Sequence, residues 1–355
     1  MNEAARGRWW AAGGRRFPLA PLRAFGVDVL VGCGVPRRKA TFSTDALLAR
    51  DMQGDHLRGI GELANYVGGI DAGTIDPRAR LRIIQDGGGA VVVEAERGLL
   101  FSTGYDAVRL AMARAREHGI SYVGVRAQLG RLEPYITHAS ARGMIAFGTI
   151  LSPPLLAAIP GAPARVGNNP FGLAASMSPE RTLVFDGAMS LSSAYPIRIS
   201  AARNRRLPIP LVYDRRGRPT RDASELVEAP DGTALRGSLV PIGGYKGYGL
   251  AAALGVLSGA LPSSVSLPPR GDTPPAPGTA LFCIDPKQLG LARGFKRSLG
   301  AYLDWMSAGP NGRYPGQVSR RAIAEANARG VVCLTGSTVE AVRTLARRLR
   351  KQAPL

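Results

Sequence analysis

The chain has 355 residues, 45% of them hydrophobic, which is enough for a sizeable core in about two domains. Its formal charge is +20, but the arginines are scattered without a zinc-finger or RNP-type signature, which argues against dedicated nucleic-acid binding. No apolar run approaches the roughly 20 residues that cross a bilayer, so we expect no membrane span. The three cysteines lack the spacing of a disulfide framework or a zinc site, so we expect no metal and, by default, a cytoplasmic location.

Helices dominate the first part of the chain. We expect residues 1–16 to be a flexible leader and Pro21–Val67 to form a helical unit, because apolar residues recur there at helical spacing. Runs of β-branched residues between glycines and prolines then predict alternating strands and helices. The expected strands are Leu81–Ile84, Ala90–Glu94, Tyr122–Val125 and Met144–Ile150, and the expected helices are Asp106–Glu117 and Tyr135–Arg142.

The second part of the chain is rich in proline and glycine. Residues 151–241 predict short strands, such as Leu183–Phe185 and Pro210–Tyr213, joined by long loops. An apolar helix is expected over Leu250–Leu261, and a proline-rich surface loop at residues 263–278. The last expected elements are a strand, Thr279–Ile284, and two amphipathic helices, Phe295–Met306 and Thr338–Arg350.

The most distinctive motif is Gly-Gly-Tyr-Lys-Gly-Tyr-Gly at Gly243–Gly249, which contains one of only five lysines in the chain. Its glycines permit positive φ and close backbone approach, so main-chain N–H groups there can surround a phosphate or carboxylate, with Lys246 as the point charge. The helix expected after it places the loop at a helix N-terminus, which favours anions. A glycine-rich turn with a solvated lysine is the equal alternative.

Three further motifs precede this loop. They are Gly167-Asn168-Asn169-Pro170, then Asp186-Gly187-Ala188-Met189-Ser190, then a segment with Ile209-Pro210, Asp214, Gly217, Pro219-Thr220 and Asp222. In this order and spacing, the four motifs resemble those of the malate/L-lactate dehydrogenase family of the second type. The resemblance covers residues 25–350, although Asn168 stands where the family has threonine.

The resemblance implies an α/β fold of α+β-like character without a Rossmann domain, with a mostly antiparallel sheet in the cofactor domain and a helical N-terminal unit. It divides the chain into a substrate and dimerisation domain, 17–145 with 279–355, and an NAD(P)-binding domain, 146–262. Relatives form homodimers with the active site at the subunit and domain interface, so a homodimer acting on a small molecule is expected. The residues implied for NADH or NADPH are Asn169, Pro170, Asp186, Ser190, Gly243, Gly244, Tyr245, Lys246 and Gly247.

The substrate half departs from the family pattern. Arg58 stands where the family has an acid/base histidine, and Glu62 where it has an arginine that binds the substrate carboxylate. A second family motif, Ser-Asn-His-Phe-Gly, is replaced by residues 126–130, which contain no histidine. Because arginine is essentially always protonated, Arg58 can hold a carboxylate but is not expected to donate a proton. Either the substrate lacks the carboxylate or Arg58 has taken over its contact.

The remaining candidates for proton transfer are His56 and Asp186. His56 lies two residues before Arg58, so a small backbone shift would bring it into the pocket; an exposed position at a helix end is the alternative. Asp186 matches an aspartate near the substrate in relatives, where burial can tune its pKa; bracing the loop after its strand is the alternative. We therefore take His56, Arg58 and Asp186 as the candidate catalytic residues.

These patterns predict an NAD(P)-dependent oxidoreductase that transfers hydride to or from an atypical 2-oxo or 2-hydroxy acid, ketone or cyclic imine. The alternative is a catalytically silent homologue that keeps the dinucleotide site as a sensor, a scaffold or the partner of an active subunit. Loss of both histidine motifs favours the silent protein, whereas the intact cofactor motifs favour the enzyme. The sequence does not choose between NAD and NADP.

Overall fold

A computed structural model describes residues 14–226, 236–264 and 276–355 of the chain. The helices are α1 (Leu19–Gly32), α2 (Arg37–Met52), α3 (Leu63–Asp71), α4 (Leu100–His118), α5 (Glu133–Ser140), α6 (Ala194–Ala202), α7 (Tyr245–Gly255), α8 (Leu261–Ser263), α9 (Ala292–Met306), α10 (Gln317–Arg329) and α11 (Gly336–Arg348). The strands are β1 (Arg15–Pro18), β2 (Arg82–Gly87), β3 (Ala90–Glu94), β4 (Ile120–Val125), β5 (Ile145–Leu151), β6 (Pro154–Ala157), β7 (Ala164–Gly167), β8 (Phe171–Ser176), β9 (Thr182–Gly187), β10 (Val212–Tyr213), β11 (Pro219–Thr220), β12 (Ser238–Leu239), β13 (Gly278–Ile284) and β14 (Val331–Leu334).

The centre of the molecule is a seven-stranded sheet with the order β2-β3-β4-β13-β5-β8-β9. Every neighbouring pair is antiparallel except β3 and β4, which are parallel. Together with the helices, this mainly antiparallel sheet confirms the α/β fold predicted from the sequence. Strand β13 lies between β4 and β5, so the sheet contains strands from both of the predicted domains.

Two apolar cores of unequal size contain most of the buried side chains in the described residues, and a third, of four buried residues, includes Leu299 and Leu303 of α9. The larger core combines the N-terminal helices, α4, α5, one face of the sheet and α11, and it includes Leu22, Leu47 and Tyr135. The smaller core, which includes Leu156, Ile197, Leu226 and Leu254, is built from residues between 155 and 254. The smaller core therefore lies within the range predicted to bind the cofactor, although the division into two domains stays a prediction.

The N-terminal helical unit is present as α1, α2 and α3, with short 3₁₀ turns at His56–Arg58 and Ile60–Glu62 between the last two. Burial of Leu22 and Leu30 on α1 and of Leu47 on α2 confirms that apolar residues at helical spacing form an inward face here. None of the helices in the described residues is long and apolar enough to cross a membrane.

The start of the chain differs from the sequence prediction. Arg15 and Arg16, placed in the leader over residues 1–16, belong to β1 and pair antiparallel with Leu334 and Cys333 of β14. The main-chain hydrogen bonds of this pairing order a segment that carries no strand signal of its own. Residues 1–13 lie outside the described part of the chain, as do residues 265–275 of the proline-rich loop predicted over 263–278.

Candidate functional site

Asn169 ties the first cofactor motif to the helix that follows the glycine loop. Its side-chain oxygen accepts a hydrogen bond from the Ser152 N–H at 2.9 Å, and its side-chain nitrogen donates to the Ala251 carbonyl of α7 at 2.8 Å. The residue is only 1% exposed. Both ends of the amide are therefore used inside the protein, which gives Asn169 a bracing role at the predicted cofactor site.

Backbone hydrogen bonds join the second motif to the first motif and to the glycine loop. The Met189 N–H donates to the Asn168 carbonyl at 2.8 Å, and the Ile242 N–H donates to the Met189 carbonyl at 3.1 Å. Ser190 forms an isolated antiparallel bridge with Pro241, and its hydroxyl donates to the Ser192 carbonyl. The carbonyl of Pro170, the last residue of the first motif, accepts from the Ile150 N–H at 3.3 Å. The predicted cofactor residues thus form one connected region.

The glycine loop lies at a helix N-terminus, as predicted, but the helix begins at Tyr245 rather than Leu250. Gly243 and Gly244 have φ of 59° and 63°, a conformation that favours glycine. Gly247 already lies in the first turn, where an added Cβ would stand 2.1 Å from the Ile242 carbonyl oxygen. Only the first two glycines therefore shape the loop, while the third allows the helix to pack against it.

The side chains and N–H groups that an anion would contact at this loop are accessible to solvent. Tyr245 is 77% exposed, and Lys246 is also exposed and makes no ion pair within the described residues. The first N–H groups of an α-helix have no intrahelical acceptor, and the helix dipole adds positive potential there. These features fit the phosphate groups of a dinucleotide.

A compact charged cluster lies beside the end of β9. Arg50 donates to Glu133 at 2.9 Å and pairs with Asp55, and the Gln53 side-chain N–H donates to Glu133. Asp186 accepts from the Glu133 backbone N–H at 3.0 Å. Arg131 lies 3.6 Å from Asp55, 3.8 Å from Glu133 and 3.7 Å from Asp186. Asp186 thus connects this charged cluster to the cofactor motif that follows it.

Burial and opposite charges act against each other in the cluster. Burial would raise the pKa of Asp55, but Arg50 and Arg131 outweigh it, so the pKa lies below its usual value. Burial is also the main reason that the pKa of Arg131 falls to about 10; the nearby Arg50 lowers it further, while Asp186 opposes the fall. Arg131 therefore stays a cation at neutral pH despite its burial.

Arg58 links this charged cluster to the start of α6. Its guanidinium donates to the Ser193 hydroxyl at 3.2 Å and stands 5.2 Å from the centre of the Tyr195 ring, within the range of a cation–π contact. Burial lowers the pKa of Arg58, and Asp55 opposes that fall. Burial raises the pKa of Tyr195, and Glu62 adds to the rise. Arg58, Glu62 and Tyr195 are therefore close enough to share one electrostatic environment.

His56 is directed to a different partner. Its Nδ1 lies 3.0 Å from the Asp51 carboxylate, which also accepts the Ile60 N–H at 2.6 Å. Burial raises the pKa of Asp51, while the bond to His56 opposes the rise. A Cβ at Gly59 would stand 2.2 Å from the same carboxylate. The His56–Asp51 pair thus braces the turn that carries Arg58, and the contacts of His56 do not include Asp186.

Several residues of this site were not predicted from the sequence, among them Arg131, Glu133 and Tyr195. Arg131 and Glu133 follow directly after residues 126–130, which were noted only for their lack of histidine, and Tyr195 lies in no motif. An arginine and a glutamate just beyond a departure from the family pattern were the only signal available for the first two. Within the described residues, His, Cys, Asp and Glu side chains form no group of three suited to a metal ion.

Comparison with known proteins identifies what this arrangement is similar to. A profile of the malate/L-lactate dehydrogenase family matches residues 17–343. A malate dehydrogenase of Pyrococcus abyssi is 31% identical over 248 residues, 69% of this chain and 68% of that protein. The structure of a sulfolactate dehydrogenase from Methanocaldococcus jannaschii superposes with a TM-score of 0.78 at 22% identity, covering 96% of this chain and 98% of that chain. A Δ1-piperideine-2-carboxylate reductase from Pseudomonas syringae gives a TM-score of 0.75 at 24% identity, covering 94% of this chain and 100% of that chain.

Proposed function

Because the chain belongs to the malate/L-lactate dehydrogenase family, we propose that it is an NAD(P)-dependent oxidoreductase that acts on a cyclic imine or 2-oxo carboxylate, or on the reduced product. Membership makes the chain a dehydrogenase-type oxidoreductase; the cofactor and substrate are the proposed part. The observation that carries the proposal is the chain of contacts from the glycine loop through Met189 and Asp186 to the charged cluster around Arg131. These contacts support the proposal, because they connect the glycine loop with the charged cluster.

The glycine loop provides the proposed cofactor contacts. Lys246 and the free N–H groups at the start of α7 would hold the phosphates, with Gly243 and Gly244 allowing the ligand to approach the backbone. When bound, NADH or NADPH supplies the hydride, or NAD(P) accepts it. Ser190 and Asp186 would lie on the nicotinamide side, with Asn169 and Pro170 holding the loops in place.

Arg58 is the proposed substrate anchor. Its planar guanidinium matches a carboxylate, and the stack on Tyr195 and the bond to Ser193 hold it in one orientation. His56 acts indirectly, because its bond to Asp51 fixes the turn on which Arg58 sits. Arg58 would therefore take over the carboxylate contact that the family gives to the arginine at the position of Glu62.

Tyr195 is the proposed proton donor for a 2-oxo acid: its hydroxyl would protonate the carbonyl oxygen as hydride reaches the carbonyl carbon, whereas an imine that binds already protonated gives the neutral amine on hydride transfer and needs no such donor. The role rests on position: the residue is 38% exposed beside Arg58, and its hydroxyl carries a proton at neutral pH, although its raised pKa makes it a weaker acid than an ordinary tyrosine. Asp186, one of the two donors considered from the sequence, has one carboxylate oxygen engaged by the Glu133 N–H and by Arg131, so we prefer Tyr195. Its proposed role is to hold Arg131 at a fixed distance from the cofactor motif that begins at Asp186.

The charges favour an imine over a dicarboxylate. Malate and sulfolactate, on which the named relatives act, carry a second acidic group, and Glu62 would repel such a group. A protonated cyclic imine carries a positive charge that Glu62 complements, while its carboxylate would pair with Arg58. The imine carboxylate class of the Pseudomonas syringae reductase therefore fits these two residues best.

The test is steady-state kinetics with NADH and NADPH on a cyclic imine carboxylate, a 2-oxo monocarboxylate and a 2-oxo dicarboxylate. We expect the best kcat/KM for the imine. Arg58→Gln should raise KM at least about tenfold, because it removes a charge-assisted contact. With the 2-oxo acids, Tyr195→Phe should lower kcat about a hundredfold or more, with a smaller effect on KM, because it removes an acid. With the protonated imine, kcat should change little. Asp186→Asn removes the other candidate donor, so comparing its kcat with that of Tyr195→Phe shows which residue is the proton donor.

The control is Arg205→Gln, which removes an exposed arginine from the loop after α6 and should leave both constants unchanged. A preference for the dicarboxylate, or an unchanged kcat of Tyr195→Phe with the 2-oxo acids, would contradict the assignment of these residues. Binding of NADH or NADPH without turnover of any class would instead favour the catalytically silent homologue, which the loss of the two histidine motifs also favours.

A further inference from the structure

A second cationic region lies at the end of the central sheet opposite Asp186. Asp186 precedes Gly187, which pairs with Phe171 at the start of β8, whereas Ser176 ends the same strand. The 6 residues of β8 span about 20 Å at the usual rise of a strand. A cleft of about 550 Å³ lies at the Ser176 end, so it is separated from the proposed catalytic site by the length of the sheet.

Four cations from separate parts of the chain line this cleft. Arg116 comes from α4, Arg142 from the turn before β5, Lys287 from the loop after β13 and Lys296 from α9. None of the four forms an ion pair in the part of the chain that the structure describes. One Nη of Arg142 donates to the His138 carbonyl at 2.8 Å, which leaves its other donors available.

One acidic residue, Asp285, lines the same cleft. It is 9% exposed, and its Oδ1 accepts the Lys287 backbone N–H at 2.9 Å. This bond shapes the turn after β13 and uses part of the carboxylate. Four cations facing one carboxylate leave a net positive potential that a concave surface concentrates.

The start of α9 adds to this potential. The helix begins at Ala292, and Ala292, Phe295 and Lys296 all line the cleft. The Phe295 N–H bonds to the Leu291 carbonyl, but the N–H groups before it have no acceptor within the helix. The positive end of the dipole of a 15-residue helix therefore coincides with the four side-chain cations.

We propose that this cleft is a binding site for a small polyanion that carries a phosphate or pyrophosphate group. Its volume lies in the range of small-molecule pockets, and its cations converge from four segments on one concavity instead of forming a stripe along the surface, as binding to a nucleic-acid strand requires. The anion would bind independently of the glycine loop, and it offsets the mutual repulsion of Arg116, Arg142, Lys287 and Lys296.

The test is isothermal titration calorimetry of the full chain with inorganic pyrophosphate at fixed ionic strength. We expect saturable binding by the wild type and at least about tenfold weaker binding by the double variant Arg116→Gln/Lys296→Gln, which removes two charge-assisted contacts. The double variant Arg293→Gln/Arg297→Gln removes the same charge from exposed positions of α9 that do not line the cleft, so it should bind like the wild type.

A third variant separates the two anion sites. Lys246→Ala, at the glycine loop, should retain pyrophosphate binding at the cleft. Equal weakening by both double variants would mean general charge attraction, and loss of binding in Lys246→Ala alone would place the ligand at the glycine loop. Either result, or an absence of saturable binding by the wild type, overturns the proposal.

Discussion

Arg50 is the residue on which the charged cluster depends. It is the nearest cation to both Asp55 and Glu133, and its side chain is 11% exposed. Arg131, the other cation of the cluster, is farther from both carboxylates, at 3.6 and 3.8 Å. Without Arg50, these two nearly buried carboxylates would keep only the longer contacts with a cation, and Glu133 would also keep its hydrogen bond from Gln53.

We therefore predict that Arg50→Met lowers the free energy of unfolding by about 3–5 kcal/mol, because it leaves buried charges without their main partner. The measurement is urea unfolding followed by circular dichroism. The matched control is Arg321→Met, which breaks an exposed i,i+4 pair with Glu325 on α10 and should cost at most about 0.5 kcal/mol. Equal losses in the two variants would contradict the role given to Arg50.

The free energy of unfolding should depend on pH through the protonation of His138. Its ring packs edge-on against Phe42 and Tyr105, and burial, aided by Arg142 and Arg109, lowers its pKa to about 4. In the unfolded chain the pKa is about 6.5, so between about pH 4 and pH 6.5 His138 is protonated in the unfolded state and neutral in the folded state. The contribution of neutral His138 to stability is therefore complete above about pH 6.5 and is lost as the pH falls towards 4.

His138→Phe should flatten this part of the stability curve, because it keeps a ring in the aromatic cluster and removes the titration. Since the side chain is only partly buried, we expect the wild type to lose about 1–2 kcal/mol more than the variant between pH 7 and pH 4. Urea unfolding at several pH values measures the difference. Parallel curves would show that His138 does not titrate in this range.

The sequence predicted individual site residues unevenly. Asp186 and Lys246 stand in recognisable motifs, and Arg58 stands where the chain departs from one. The structure places Arg58 and Asp186 at one charged cluster and Lys246 at a helix start. The pairing of His56 with Asp51 and the stack of Arg58 on Tyr195 depend on side-chain directions that a linear pattern does not contain. For the same reason, Arg131 and Glu133 could not be recognised before α5 was placed against β9.

At the scale of the element, the start of α7 decides how the glycine loop is presented. Gly247 has no room for a Cβ, because the Ile242 carbonyl oxygen would lie 2.1 Å away. Gly249, two residues later in the same helix, has nothing within 4 Å of the corresponding position. The two glycines thus differ in packing although they lie two residues apart in the same helix.

We predict opposite effects for alanine at the two positions. Gly247→Ala should lower the free energy of unfolding by about 1–3 kcal/mol and weaken dinucleotide binding, because the loop must move away from the helix. Gly249→Ala should raise stability by up to about 1 kcal/mol, since alanine has the better helix propensity. Thermal unfolding with and without NADH measures both effects. A harmless Gly247→Ala would show that the loop and α7 are not tightly packed.

Elements with a strong local pattern were predicted well. The helix expected at Asp106–Glu117 lies inside α4, whose end is set by Gly119 at φ 81°, and the strand expected at Thr279–Ile284 lies inside β13. Among the elements that were not predicted individually are β6, β7 and α10. Strands β6 and β7 pair across a bulge in a segment rich in proline and glycine, and α10 has no buried residue to create an apolar stripe.

At the scale of the whole molecule, one sheet joins the two halves of the chain. Strand β13 inserts between β4 and β5, a pairing over long sequence separation that depends on tertiary contacts and not on local pattern. The family resemblance implied the fold class and the mostly antiparallel sheet, but not this strand order. The homodimer and the cytoplasmic location stay predictions.

The most direct test of the central claim is a fluorescence titration of the wild type and of Lys246→Ala with NADH and NADPH. Saturable binding by the wild type, weakened at least about tenfold in Lys246→Ala, is the predicted result, because the variant removes the one side-chain cation at the start of the helix. Absence of binding of either dinucleotide by the folded wild type would contradict the account.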